Sequence, residues 1–194
     1  MNRKRLHSNS ELIINKKHKY KSCAIILMGL PGSGKSYLSP KIINHINIIL
    51  DNEYQYINLN PDNIIINKKY NCFQELSIKC KIINKKLSDI FKSSDTKSFI
   101  YDGTGSNKST YNFILKNCEK KKYHTFLIYV KSSLEKALER NQNRSRKVNN
   151  NFITKYSGYI DSHFEYYIKK NINYLVIDNN NILESEIKII NSKV

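Results

Sequence analysis

Eight residues, GLPGSGKS from Gly29 to Ser36, constrain this chain more than any others, because they follow the apolar run CAIILM. Six continuous apolar residues are what a strand buried on both faces looks like. The spacing Gly29, Gly34, Lys35, Ser36 is the G-x-x-x-x-G-K-S phosphate-loop pattern, with Leu30, Pro31, Gly32 and Ser33 between its ends and Tyr37 just beyond. Glycines let backbone N–H groups turn inward around phosphate oxygens, and the N-terminus of the following helix adds its positive end. Lys35 is expected to reach the β- and γ-phosphates, and the Ser36 hydroxyl to ligate Mg²⁺. The loop is thus expected to bind a nucleoside triphosphate, ATP above others.

Around this loop apolar runs alternate with helical patterns. Strands are expected at Cys23–Met28, Tyr54–Leu59, Ser98–Asp102, His124–Val130 and Tyr174–Asp178. Helices are expected at about 36–49, 73–91, 110–118, from Ser132–Ser133 toward the arginines, and at 151–170 and 183–191. Either serine at 132 or 133 can cap its helix. The stripe Phe152, Tyr156, Ile160, Phe164, Tyr167 reads as helical core. Alternation of this kind implies an α/β fold: three α/β/α layers, a parallel sheet of about five strands with helices on both faces. One domain is expected over residues 22–194, preceded by a flexible basic tail at 1–21.

Three further features point to transfer of the bound phosphate. Asp62 ends NLNPD after the second strand, where the C-terminal ends of α/β strands border the ligand crevice. A carboxylate there can take the proton of an attacking hydroxyl, although NPD is also ordinary turn chemistry. Asp102 closes SFIYD ahead of GTGSN, a position suited to holding Mg²⁺, with Thr104 and Ser106 nearby. The two carboxylates can exchange these roles. The third feature is RNQNRSR. Only five of the 33 basic residues are arginines, and Arg140, Arg144 and Arg146 fall within seven positions. Guanidinium forks grip phosphates where ammonium groups do not. Arg140 and Arg144, four apart, read as one helical face, and the cluster can close over the phosphates as a lid.

With these motifs in order, the chain resembles the P-loop kinases that include zeta toxins and polynucleotide 5′-hydroxyl kinases, from about residue 23 to 178. Where many relatives carry Val-Pro after the lid arginines, this chain has KVNNN. The resemblance implies a five-stranded parallel sheet, a mobile lid, and transfer of the ATP γ-phosphate to a hydroxyl. It assigns the general base to Asp62 and the lid arginines to Arg140, Arg144 and Arg146. Zeta toxins act on a UDP-amino sugar and polynucleotide kinases on a nucleic-acid 5′ end, so the acceptor class stays open: small molecule, nucleotide or polynucleotide.

Composition bears on partners and compartment. A net charge of +17 keeps nucleic acid among the partners, although a chain crowded with Ile, Asn, Lys and Tyr can owe its lysines to codon bias. The alternative function is a nucleotide-binding module that docks on nucleic acid or protein without transfer. Tyr54, Tyr56 and Tyr101 are candidates for base stacking. A guanine-specific switch is disfavoured, because NKKY at 67–70 lacks the Asp of an NKxD reader. No run is long enough to span a bilayer, the basic start lacks an apolar stretch, and the four cysteines are too dispersed for a disulfide frame or zinc site. A cytoplasmic location is expected, with NRKR near the start keeping the nucleus open. The five histidines carry no catalytic expectation.

Overall fold

Every residue of CAIILM is buried, and this strand, β1 (Cys23–Met28), lies in the interior of the sheet. The structure is a computed structural model that describes residues 20–66, 72–144, 146–180 and 189–193. The basic tail expected at 1–21 falls, up to residue 19, outside the described residues, as does NKKY at 67–70.

Among the described residues six strands pair in the order β2-β3-β1-β4-β5-β6, with β2 at Ile57–Leu59, β3 at Phe99–Asp102, β4 at His124–Lys131, β5 at Asn173–Asp178 and β6 at Ile189–Lys193. All neighbours are parallel except β5 and β6. The helices are α1 (Lys35–Leu50), α2 (Cys72–Lys92), α3 (Lys108–Lys120), α4 (Leu134–Gln142), α5 (Asn150–Ser157) and α6 (Ile160–Ile168).

The two-residue period of β1 divides the core. Ala24, Ile26 and Met28 pack with Leu87 of α2, Tyr111 and Ile114 of α3 and Phe164 of α6. Cys23, Ile25 and Leu27 face Leu38, Ile42 and Ile46 of α1. Truncating a side chain such as Ile26 to alanine would cost about 2–5 kcal/mol, a large part of a typical domain's stability. The central strand is therefore the rigid base of the loop that follows it.

Several elements differ from their sequence expectation for physical reasons. β2 begins at Ile57 rather than Tyr54, because its only partner, β3, begins at Phe99, opposite Ile57. The stripe expected to run unbroken over 151–170 is two helices, parted at Gly158 and Tyr159. The final helix expected at 183–191 lies outside the described residues up to 188. From Ile189 the chain is instead β6, a sixth strand that covers the β5 edge antiparallel, with a register shift at Val176/Ile177. Ser133, not Ser132, caps α4, its hydroxyl accepting from the Lys136 N–H. No helix among the described residues is long and apolar enough to cross a membrane.

The register carries three segments to one edge of the sheet. Leu59 lies opposite Tyr101, and Leu27 opposite Asp102. The loop after β1, the NPD turn after β2 and Asp102 at the end of β3 therefore meet at the strands' C-terminal ends, where parallel sheets bind ligands.

Candidate active site

The phosphate loop is clamped from three sides. Gly32 and Gly34 have φ of 86° and 90°, a left-handed backbone that favours glycine. Neither position has space for a β-carbon: at Gly34 it would overlap the Asn179 side-chain nitrogen, and at Gly32 the Ala137 carbonyl oxygen of α4. Asn179, just past β5, donates its Nδ2 to the Ser33 carbonyl at 2.7 Å, a buried bond. The Gly29 N–H donates to the Thr104 carbonyl in the loop after β3. Leu30 and Pro31 are buried with the loop, whereas Ser36 and Tyr37 are exposed.

Lys35 is 8% exposed. Its ammonium folds back onto the loop, donating to the Gly29 carbonyl at 2.8 Å and the Leu30 carbonyl at 2.9 Å. Burial lowers its pKa, an effect opposed by the negative charge of Asp102 and, less, of Asp62, while Arg144 adds to it.

The Ser36 hydroxyl donates to Asp102 Oδ2 at 2.6 Å. Asn60 Nδ2 donates to the same oxygen at 2.9 Å and approaches Ser36 Oγ at 3.4 Å. Among the described residues no group of three or more His, Cys, Asp or Glu can hold a metal ion. This corner offers one hydroxyl and one carboxylate, a donor set that fits Mg²⁺ whose remaining ligands are phosphate oxygens and water. Thr104 and Ser106 hydrogen-bond each other at 2.7 Å.

Asp62 is in the short 3₁₀ turn Pro61–Asn63. Its carboxylate takes Arg144 Nη2 on Oδ2 at 3.3 Å and Arg146 Nη1 on Oδ1. All three side chains are roughly 40% exposed, with 42% for Asp62, 36% for Arg144 and 42% for Arg146. Two of the three arginines are thus brought to Asp62 and the third is not. α4 ends at Gln142, so Arg144 lies past the helix and does not share a helical face with Arg140. Arg140 turns to the loop after β5, donating Nη2 to the Asn180 carbonyl at 3.2 Å, with Nη1 buried and without a partner among the described residues. Its partial desolvation lowers its pKa.

The arginine segment is closed by Asn141, which sequence reasoning did not single out. Asn141 is 1% exposed; its Nδ2 donates to the Val148 carbonyl at 2.7 Å and its Oδ1 accepts the Val148 N–H at 2.9 Å. One carboxamide thus pins both ends of the loop that carries Arg144 and Arg146. Asn60 and Asn179 were missed in the same way. In an asparagine-rich chain these residues do not stand out; the only local signal was Asn60 preceding Pro-Asp, a side-chain cap for a turn.

Of the tyrosines proposed for base stacking, two lie away from the phosphate loop and the third, Tyr101, adjoins Asp102. Tyr54 donates to the Tyr20 carbonyl and Tyr56 to Asn47 near the end of α1, at the end of the sheet opposite the loop. Tyr101 packs edge-on against Tyr111 at 5.6 Å. His163 contacts the Gly105 carbonyl at 2.9 Å and does not touch either carboxylate.

Comparison with known proteins gives the family and the fold. The family model of 6-phosphofructo-2-kinase matches residues 9–194. Among solved structures, the AvrRxo1-ORF1:AvrRxo1-ORF2 complex with sulphate ions aligns at 16% identity and a TM-score of 0.61, over 88% of this chain and 58% of that one. The same complex with ATP aligns at 16% identity and 0.61, over 94% and 62%. The PezAT chromosomal toxin–antitoxin system of Streptococcus pneumoniae aligns at 11% identity and 0.64, over 95% and 77%. This chain therefore spans about three fifths of the AvrRxo1 chains it matches, and at these identities the likeness is one of fold. No curated protein sequence matches it. With that family model matching residues 9–194, the chain belongs to the 6-phosphofructo-2-kinase family.

Proposed function

We propose that the protein transfers the γ-phosphoryl group of ATP to a hydroxyl of a small molecule, a nucleotide or a polynucleotide 5′ end, with Asp62 as general base. The observation that carries this reading is the placement of Asp62. It lies in the turn after β2, linked through Asn60 to Asp102, and the two arginines of the proposed lid meet on its carboxylate.

The chemistry follows from the groups present. Asp62 accepts the acceptor's hydroxyl proton as its oxygen bonds to the γ-phosphorus, and the bond from that phosphorus to the β,γ-bridging oxygen breaks, releasing ADP. Lys35 leaves the Gly29 and Leu30 carbonyls for the phosphates. Arg144 and Arg146 neutralise charge on the transferring group, and Arg140 stays anchored at the loop after β5. Ser36 and Asp102 are the residues that would hold Mg²⁺, which when bound neutralises charge on the β- and γ-phosphates.

Both carboxylate oxygens of Asp62 are occupied by guanidiniums, so the resting arrangement must open before either can meet a hydroxyl. Each of these half-exposed pairs is worth at most about 1 kcal/mol. A triphosphate offers several anionic oxygens to the same forks, and on this reading it draws the arginines off Asp62.

Three acceptors span the candidate classes: fructose 6-phosphate, named by the family; a UDP-amino sugar; and an oligonucleotide with a free 5′ hydroxyl. The net charge of +17 supports keeping the last. Incubation with ATP labelled in the γ-phosphate tests the reading. Label appearing on an acceptor hydroxyl is the expected result; ATP binding without transfer to any hydroxyl would favour a docking module instead.

A further inference from the structure

We infer that Asn60 is a positioning residue that ties the cation-holding corner to the base, so that a single carboxamide sets both. This deepens the phosphotransfer reading and rests on it for the roles of Ser36, Asp102 and Asp62.

Asn60 follows directly on the last residue of β2 and is 8% exposed. Its two side-chain atoms face in different directions. Oδ1 accepts the Asp62 N–H at 2.8 Å and so caps the turn that carries the base. Nδ2 donates to Asp102 Oδ2 at 2.9 Å. An amide has one acceptor end and one donor end. Here the acceptor must face a backbone N–H and the donor must face a carboxylate, so the orientation is dictated by both neighbours. Pro61 stands between Asn60 and Asp62, and its ring fixes φ, which leaves little slack between the carboxamide and the base.

The bond to Asp102 also acts on Ser36. Asp102 Oδ2 accepts two donors, the Ser36 hydroxyl at 2.6 Å and Asn60 Nδ2. With its proton directed at Asp102, Ser36 keeps an oxygen lone pair for a cation beside the one that Asn60 Nδ2 approaches at 3.4 Å. Asn60 holds that carboxylate in the rotamer that receives the proton. Groups that orient metal-ligating side chains typically matter by 10–100-fold in metal affinity. Asp102 therefore acts on the cation at least in part through Ser36, and Asn60 acts through both.

Asn60→Ala and Asn60→Ser separate the two bonds. Serine can still cap the turn at the Asp62 N–H but is too short to bridge to Asp102. Calorimetric titration of a non-hydrolysable ATP analogue, with and without Mg²⁺, gives the affinity gained from the cation without recourse to turnover. Thermal melts verify that both variants fold. Both variants are expected to lose roughly tenfold of the Mg²⁺-dependent gain while binding the metal-free analogue within about threefold of wild type. With an acceptor in hand, kcat should fall and the KM for ATP at saturating Mg²⁺ should change little. A serine variant with the full wild-type gain would overturn the inference, as would a wild-type protein with no gain at all. A wild type that shows the gain, loses it in Asn60→Ser, yet transfers phosphate to no hydroxyl would sustain Asn60 as the organiser of the cation corner and remove the transfer reading alone.

Discussion

The phosphate loop and the arginine segment face each other across one site, yet they are held by opposite means. The loop is fixed by buried bonds: Asn179 to the Ser33 carbonyl, the Gly29 N–H to Thr104, and helix α4 against Gly32, where a β-carbon has no space. The arginine segment is fixed at its base by buried Asn141 and at its tip by half-exposed ion pairs to Asp62. A binding surface should be preorganised where it receives a constant group and exchangeable where its partner changes during the reaction. On the proposed reading the loop meets phosphates in every cycle, and the arginines pass from a carboxylate to a phosphoryl group and back.

The largest expected effect falls on the rigid side. Lys35→Met removes the buried ammonium, and the transfer rate should drop by about 10³-fold, measured at saturating ATP. On the exchangeable side, Arg144→Ala with Arg146→Ala should lower the rate by about 10²-fold. Affinity for ATP should change much less, since the loop is untouched. If both changes instead act mainly on ATP affinity, the two regions do not divide their labour as described.

Asn141→Ala tests the hinge. It leaves the Val148 N–H and carbonyl without their partner, and unfolding stability should fall by about 1–3 kcal/mol. The rate should fall by about tenfold at temperatures where the variant is folded, because the arginines lose their register. Asn141→Asp preserves the acceptor for the Val148 N–H and should recover part of the stability.

The smallest effect is a reporter. Burial holds the Cys23 and Cys118 thiols at a pKa of about 12, so neither should be alkylated at pH 8. Cys80 on α2 is exposed, and although partial burial raises its pKa, the Arg146 charge pulls the other way. If ATP draws Arg146 away, the Cys80 thiolate fraction falls and its labelling should slow. Labelling of Cys80 that is indifferent to ATP would indicate that the arginine tip stays in place.

The same contrast governed what the sequence revealed. CAIILM and GLPGSGKS were legible because a doubly buried strand and a loop without space for side chains leave few residue choices. The position of Asp102 was legible because it ends a short apolar strand. The arginine cluster stood out by composition, but not its partition, since Arg140 and Arg144 look like one helical face until α4 ends at Gln142. β6 was read as helix because a strand at the sheet's edge is defined by the neighbour it covers rather than by its own pattern. Asn60, Asn141 and Asn179 act by where their carboxamides point, and composition hides such residues in a chain with so many asparagines.

The most direct measurement is the phosphoryl-transfer rate of Asp62→Asn, with its ATP affinity measured on the same preparation. Asparagine keeps the size of the side chain and loses the proton acceptor. The account predicts a fall of about 10²–10⁴-fold in rate with ATP affinity within a few-fold of wild type. Transfer by Asp62→Asn within threefold of wild type would contradict it.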